Sequence, residues 1–84
     1  MILFLDEDAE YARWLEHHPN GYVINVKSGS ARPMLHTARC THLYPPNYAR
    51  ATRVPKACDA DRRRLEAWAR QSGYDAVPCP DCDV

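Results

Sequence analysis

The spacing of apolar and polar positions changes character several times along the chain, and each change marks a predicted element. From Asp6 to His18 the residues Tyr11, Trp14, Leu15 and His18 recur at i, i+3, i+4 and i+7, one face of an α-helix. Asp6 is the expected N-cap, with acids crowding the first turn. Pro19 and the pair Asn20-Gly21 end the segment with turn chemistry. "YVINV" then alternates in a β-branched run, and "PMLHTA" follows after the Gly29 loop "KSGSAR". Together residues 22–38 predict a β-hairpin.

The next stretch, "CTHLYPPNYARATRVPKA", has two adjacent prolines and little periodicity. It is expected to be irregular, with at most brief pairing of "ATRV". "CDADRRRLEAWARQSG" predicts a second helix: Asp59 as N-cap, Leu65, Trp68 and Ala69 inward, Gly73 at C′. "YDAVPCPDC" forms the tail. The order is α-β-β-loop-α-tail, an α+β fold in a single domain over residues 1–84.

The predicted core is Trp14, Leu15, Tyr22, Ile24, Leu35, Leu65 and Trp68. Each such side chain contributes about 1.5–3 kcal/mol when buried, against an ordering cost of about 1–2 kcal/mol per residue. That set is thin for 84 residues, and domains of this size commonly recruit a metal, disulfides or a partner. "MILFL" is too short for a signal h-region or a membrane span. The four cysteines are therefore expected in a reducing cytoplasm, where metal binding is the favoured use of thiols.

Cys79 and Cys82 form a C-x-x-C turn stiffened by Pro78 and Pro80. Structural zinc sites pair such a turn with two ligands from elsewhere. "LHTARC" supplies His36 and Cys40 at the exit of the second hairpin strand, three residues between them, so that a reversing chain aims both at one point. The preferred Zn²⁺ ligands are His36, Cys40, Cys79 and Cys82. The alternative replaces His36 by Cys58, which otherwise reads as a small buried hydrophobe. His17 and His18 read as company for a helix C-terminus, and His42 as an exposed loop residue. A redox C-x-x-C needs a following helix to lower its thiol pKa. None is expected after Cys82, and Asp75, Asp81 and Asp83 act in the opposite direction.

Net charge is zero, but unevenly spread. Residues 1–26 hold five acids against Arg13, whereas residues 27–64 hold nine bases against Asp59 and Asp61. A basic middle segment suggests an anionic partner. Lys27, Arg32, Arg39, Arg50, Arg53 and Lys56 are the candidate phosphate contacts, with Arg62 to Arg64 as a further basic run. Tyr44 and Tyr48 offer stacking faces beside them.

"INVKSGSARPMLHTARC", a helix, and "SGYDAVPCPDC" resemble the small metal-binding domain of the Ada DNA-repair family. "HHPNGYVIN", "LHTARC", "KAC" and "PCPDC" also look like an actinobacterial domain pattern that spans nearly the whole chain. The resemblance implies zinc at His36, Cys40, Cys79 and Cys82, and a bacterial DNA-processing, repair or restriction context. It does not extend to methyl transfer: where the Ada pattern has a nucleophilic thiolate, this chain has His36, and an imidazole cannot serve. The match of "KAC" to the second pattern keeps Cys58 open as a ligand. No Ser-His-Asp set, paired carboxylates or phosphate loop is present, so a non-enzymatic binding module is expected, directed to nucleic acid or, alternatively, to a protein partner as an adaptor.

Overall fold

A computed structural model describes residues 1–26, 33–43 and 52–82. The elements run β1 (Ile2–Phe4), α1 (Asp8–His17), β2 (Tyr22–Asn25), β3 (Met34–Thr37), a 3₁₀ turn (Thr41–Leu43), β4 (Lys56–Asp59), α2 (Arg62–Gln71) and β5 (Val77–Pro78). The α+β class is as expected, but the sheet is larger than a hairpin. Its order is β1-β4-β2-β3-β5. All neighbours pair antiparallel except β3 and β5, which are parallel.

Register assigns the two faces. Val23 pairs with both His36 and Cys58, so these three project to one side. Ile24 pairs with Leu35 and Ala57, which project to the other. The first face joins Phe4, Tyr11, Trp14 and Leu15 around α1. The second packs Ile24, Leu35 and Ala57 against Leu65 and Ala69 of α2. One sheet is thus sandwiched between two helices, and its central strands are buried on both sides.

That sandwich explains what the periodicity hid. All four residues of β4 are buried, so "KACD" shows no alternation, and it straddles the end of the segment expected to be irregular and the start of the one expected to be helical. Asp59 ends this strand instead of capping a helix. The cap of α2 is Asp61, whose carboxylate accepts the Arg63 N–H at 2.9 Å. "MILFL" contributes the edge strand β1, with Ile2, Leu3 and Leu5 exposed.

Asp6 does not cap α1 either. It sits at φ 53°, and Glu7 holds the cap position without a side-chain hydrogen bond. Thr52 anchors this end instead. Fully buried, it accepts from Glu7 N–H through its hydroxyl and donates its own N–H to Asp8 at 2.7 Å. The far end of α2 follows expectation: Gly73, at φ 81°, donates to Arg70, and Tyr74 donates to Ala69 at 2.8 Å, the Schellman pattern. Gly21 is required by close approach, since a Cβ there would stand 2.7 Å from Trp14 Cη2.

Of the seven residues expected in the core, five are buried; Tyr22 and Trp68 are half-buried at the rim of the α2 side. The hairpin connection over residues 27–32 lies outside the described residues.

Candidate metal centre

The β2–β3 register turns His36 to the α1 face, opposite Val23. The chain then reverses: Cys40 N–H donates to Thr37 O at 3.0 Å and Leu43 N–H to Cys40 O at 3.0 Å. This turn carries the Cys40 thiol back beneath His36. The other half arrives on β5. Val77 N–H bonds to Pro33 O at 2.9 Å and Cys79 N–H to Leu35 O at 2.8 Å, which fixes the C-x-x-C turn alongside β3. Pro78 is tolerated because β5 is an edge strand.

The outcome is a group of four potential ligands. One donor atom from each of His36, Cys40, Cys79 and Cys82 lies within 4.8 Å of every other. His36, Cys40 and Cys79 are buried, and Cys82 is half-buried. Cys40 Sγ and Cys79 Sγ are 3.9 Å apart. A disulfide requires about 2.05 Å. A tetrahedron with metal–sulfur bonds of about 2.3 Å has an edge of about 3.8 Å, so the 3.9 Å spacing is compatible with both sulfurs binding one ion.

Backbone amides face the sulfurs as well. Thr37 N–H points at Cys82 Sγ across 3.4 Å, and the His42 amide bonds Cys40. Such donors orient a thiolate and offset its charge. As a thiol, Cys40 is pushed up to about 12, chiefly by burial, with the Cys82 and Cys79 sulfurs adding to the shift and the His42 amide opposing it. A divalent cation reverses that preference, because a coordinating thiol loses its proton outright.

Cys58 lies outside the group. It is fully buried in β4, its thiol directed at Lys56 O, and burial raises its pKa despite Lys56 nearby. His18 is also elsewhere: its ring stacks on Trp14 at 4.5 Å, with Nδ1 2.9 Å from Trp14 O. His42 is the residue that spacing undervalued. Though exposed, it approaches the centre, its ring 6.0 Å from that of His36 and its Nε2 2.7 Å from Asp81 Oδ2. The signal was present in Asp81 between the two C-terminal cysteines and His42 two residues after Cys40.

The six basic candidates divide. Lys27, Arg32 and Arg50 lie outside the described residues, as do Tyr44 and Tyr48. Arg39 and Arg53 are exposed, Arg39 in the turn between His36 and Cys40. Lys56 departs from expectation. It is buried, and its ammonium donates to Asn25 Oδ1 at 3.0 Å and Val54 O at 3.1 Å, so it does not stand on the surface with the arginines. In the basic run, Arg62 pairs with Glu66 at 2.8 Å and Arg64 with Asp61 at 3.7 Å.

No family model matches the chain, and no curated protein or solved structure matches it. Among the described residues, no helix is long and apolar enough to cross a membrane.

Proposed function

We propose that the chain is a zinc-stabilised, non-enzymatic binding module whose ion ties the C-terminal turn to the exit of β3. The observation that carries this reading is the closed Cys₃His set within 4.8 Å. Four protein donors leave no position for a catalytic water. Three thiols with one imidazole suit Zn²⁺ over Mg²⁺ or Ca²⁺, which prefer oxygen. In a reducing cytoplasm the thiols stay available to the metal. Native mass spectrometry with and without chelator tests this: one tightly held Zn²⁺ per chain is expected, and a metal-free chain with an unchanged melt would refute it.

For the partner we favour nucleic acid in a bacterial DNA-processing setting. Support comes from the basic middle of the sequence and from the exposed Arg39 beside the metal turn and Arg53. Phosphate contacts predict affinity that falls steeply with salt. Electrophoretic titration of single- and double-stranded DNA and RNA at low salt is the test, and no retention of any of them would exclude it. A second reading has its own observation. Ile2 and Leu3 are exposed on edge strand β1, and Leu5 just after it and Val54 are exposed too. An adaptor that accepts an extended protein segment along β1 would use them, giving binding that salt does not weaken.

A further inference from the structure

A second group of potential ligands stands on the solvent side of the first. His42, Cys79 and Asp81 each place one donor atom within 4.8 Å of the others. Cys79 belongs to both groups, so the two share a sulfur. His42 and Asp81 are half or more exposed, at 51% and 62%, while Cys79 is buried at 3%. We propose that His42 Nε2, an Asp81 carboxylate oxygen and the shared Cys79 thiolate form a second, solvent-open divalent-cation site, so that a saturated chain carries two ions bridged by Cys79 Sγ.

The reasoning is geometric and chemical, and it rests on the inner site being a zinc site. An inner ion keeps Cys79 as a thiolate, and a thiolate bound to one cation retains lone pairs for another. The turn that supplies Cys79 also supplies Asp81, two residues on. The 3₁₀ turn that follows Cys40 supplies His42. Both arms of the outer group are therefore fixed by the inner one. His42 Nε2 and Asp81 Oδ2, now 2.7 Å apart, must separate by less than 1 Å to reach the roughly 3.4 Å edge of a tetrahedron with bonds of about 2.0–2.2 Å. Both side chains are on the surface and can make that movement without disturbing the core. Imidazole, carboxylate and thiolate together select a borderline ion such as Zn²⁺ or Co²⁺. Three protein donors leave one position for water, so this site exchanges its ion and can accept a donor from outside.

The outer ion binds more weakly than the inner one because it has fewer protein ligands, shares its sulfur and repels the first charge. The test is Zn²⁺ and Co²⁺ titration of the full chain, read by native mass spectrometry and by the sulfur-to-cobalt charge-transfer band. Wild type is expected to take two ions per chain, the second more weakly, with a further change in the cobalt band as Cys79 becomes shared. His42→Ala and Asp81→Asn should each keep the first ion and lose the second. Saturation at one ion overturns the outer site while leaving the inner zinc intact. Retention of the second ion when His42→Ala and Asp81→Asn are combined also overturns it. Failure to bind any ion overturns the inner reading and this one together.

Discussion

On the α2 side of the sheet, Ile24, Leu35 and Ala57 meet Leu65 and Ala69, hydrocarbon against hydrocarbon. On the α1 side, Phe4, Tyr11, Trp14, Leu15 and Val23 pack in the same way near the helix, but toward β3 the lining becomes one imidazole and three thiols. The difference lies in what each face must hold. α2 is an amphipathic helix capped at both ends, and it closes its side by burial alone. The cluster end has only the two-residue strand β5 and a proline-rich turn, too little apolar surface to remain in place by burial. On the proposed reading, a metal bound by His36, Cys40, Cys79 and Cys82 would supply there what a helix supplies opposite.

The sharpest contrast between the faces comes from Cys79→Ser set against Leu65→Ala. Cys79→Ser should abolish metal retention and cost more than about 4 kcal/mol, the range associated with loss of a structural metal, or a drop in Tm of roughly 15–30 °C at this chain length. Leu65→Ala leaves a cavity in a fully buried site and should cost about 2–5 kcal/mol, with Zn²⁺ stoichiometry unchanged. Calorimetry with metal analysis reads both. If Leu65→Ala also releases the ion, the faces are not independent.

Acid should separate the faces next. Zinc must displace protons from the thiols, and burial holds the Cys40 thiol protonated through neutral pH until the ion arrives. Affinity therefore rises with pH and should fall by more than about tenfold per unit below pH 7. Competition with a zinc indicator at pH 5.5, 6.5 and 7.5 measures this, and a pH-independent affinity would contradict thiolate ligation.

How much of this was visible beforehand depended on whether the signal was local. His36, Cys40, Cys79 and Cys82 could be picked out because each pair is close in sequence, Cys79 and Cys82 in one turn and His36 and Cys40 across the exit of β3, and such spacing constrains where side chains point. β4 could not, because it is short, buried on both faces, and ends in Asp59, a residue that also reads as a helix cap. β1 was hidden for a similar reason: five apolar residues in a row carry no period. The exchange of Asp59 for Asp61 as the cap of α2 is a two-residue ambiguity that only strand pairing resolves. The His/Cys group was thus more legible than the sheet that positions it.

Smaller effects refine the α2 side. Asp61→Ala should cost about 1 kcal/mol through loss of the helix cap, measured by urea unfolding, without altering metal content. Asp59 adds a pH signature. Burial alone would raise its pKa, but the Asp61 amide, the Met1 ammonium 3.2 Å away and Arg64 outweigh it and hold the carboxyl below the usual range. A depressed carboxylate stabilises the fold above its unfolded pKa of about 3.9 and loses that contribution as pH falls through the folded value. Asp59→Asn should flatten this part of the acid limb.

Amide hydrogen exchange of the zinc-loaded chain, repeated after chelation, addresses the metal tie residue by residue. With zinc in place, the Thr37 and Cys79 amides, directed at Cys82 Sγ and Leu35 O, should be protected to nearly the same degree as Ile24 and Ala57 in the sheet centre. After chelation, Thr37 and Cys79 should lose protection first and by the largest factor, while Ile24 and Ala57 on the α2 face retain most of theirs. Equal protection at Thr37 and Cys79 with and without zinc would contradict the account, because the C-terminal turn would then be held to β3 by something other than a metal.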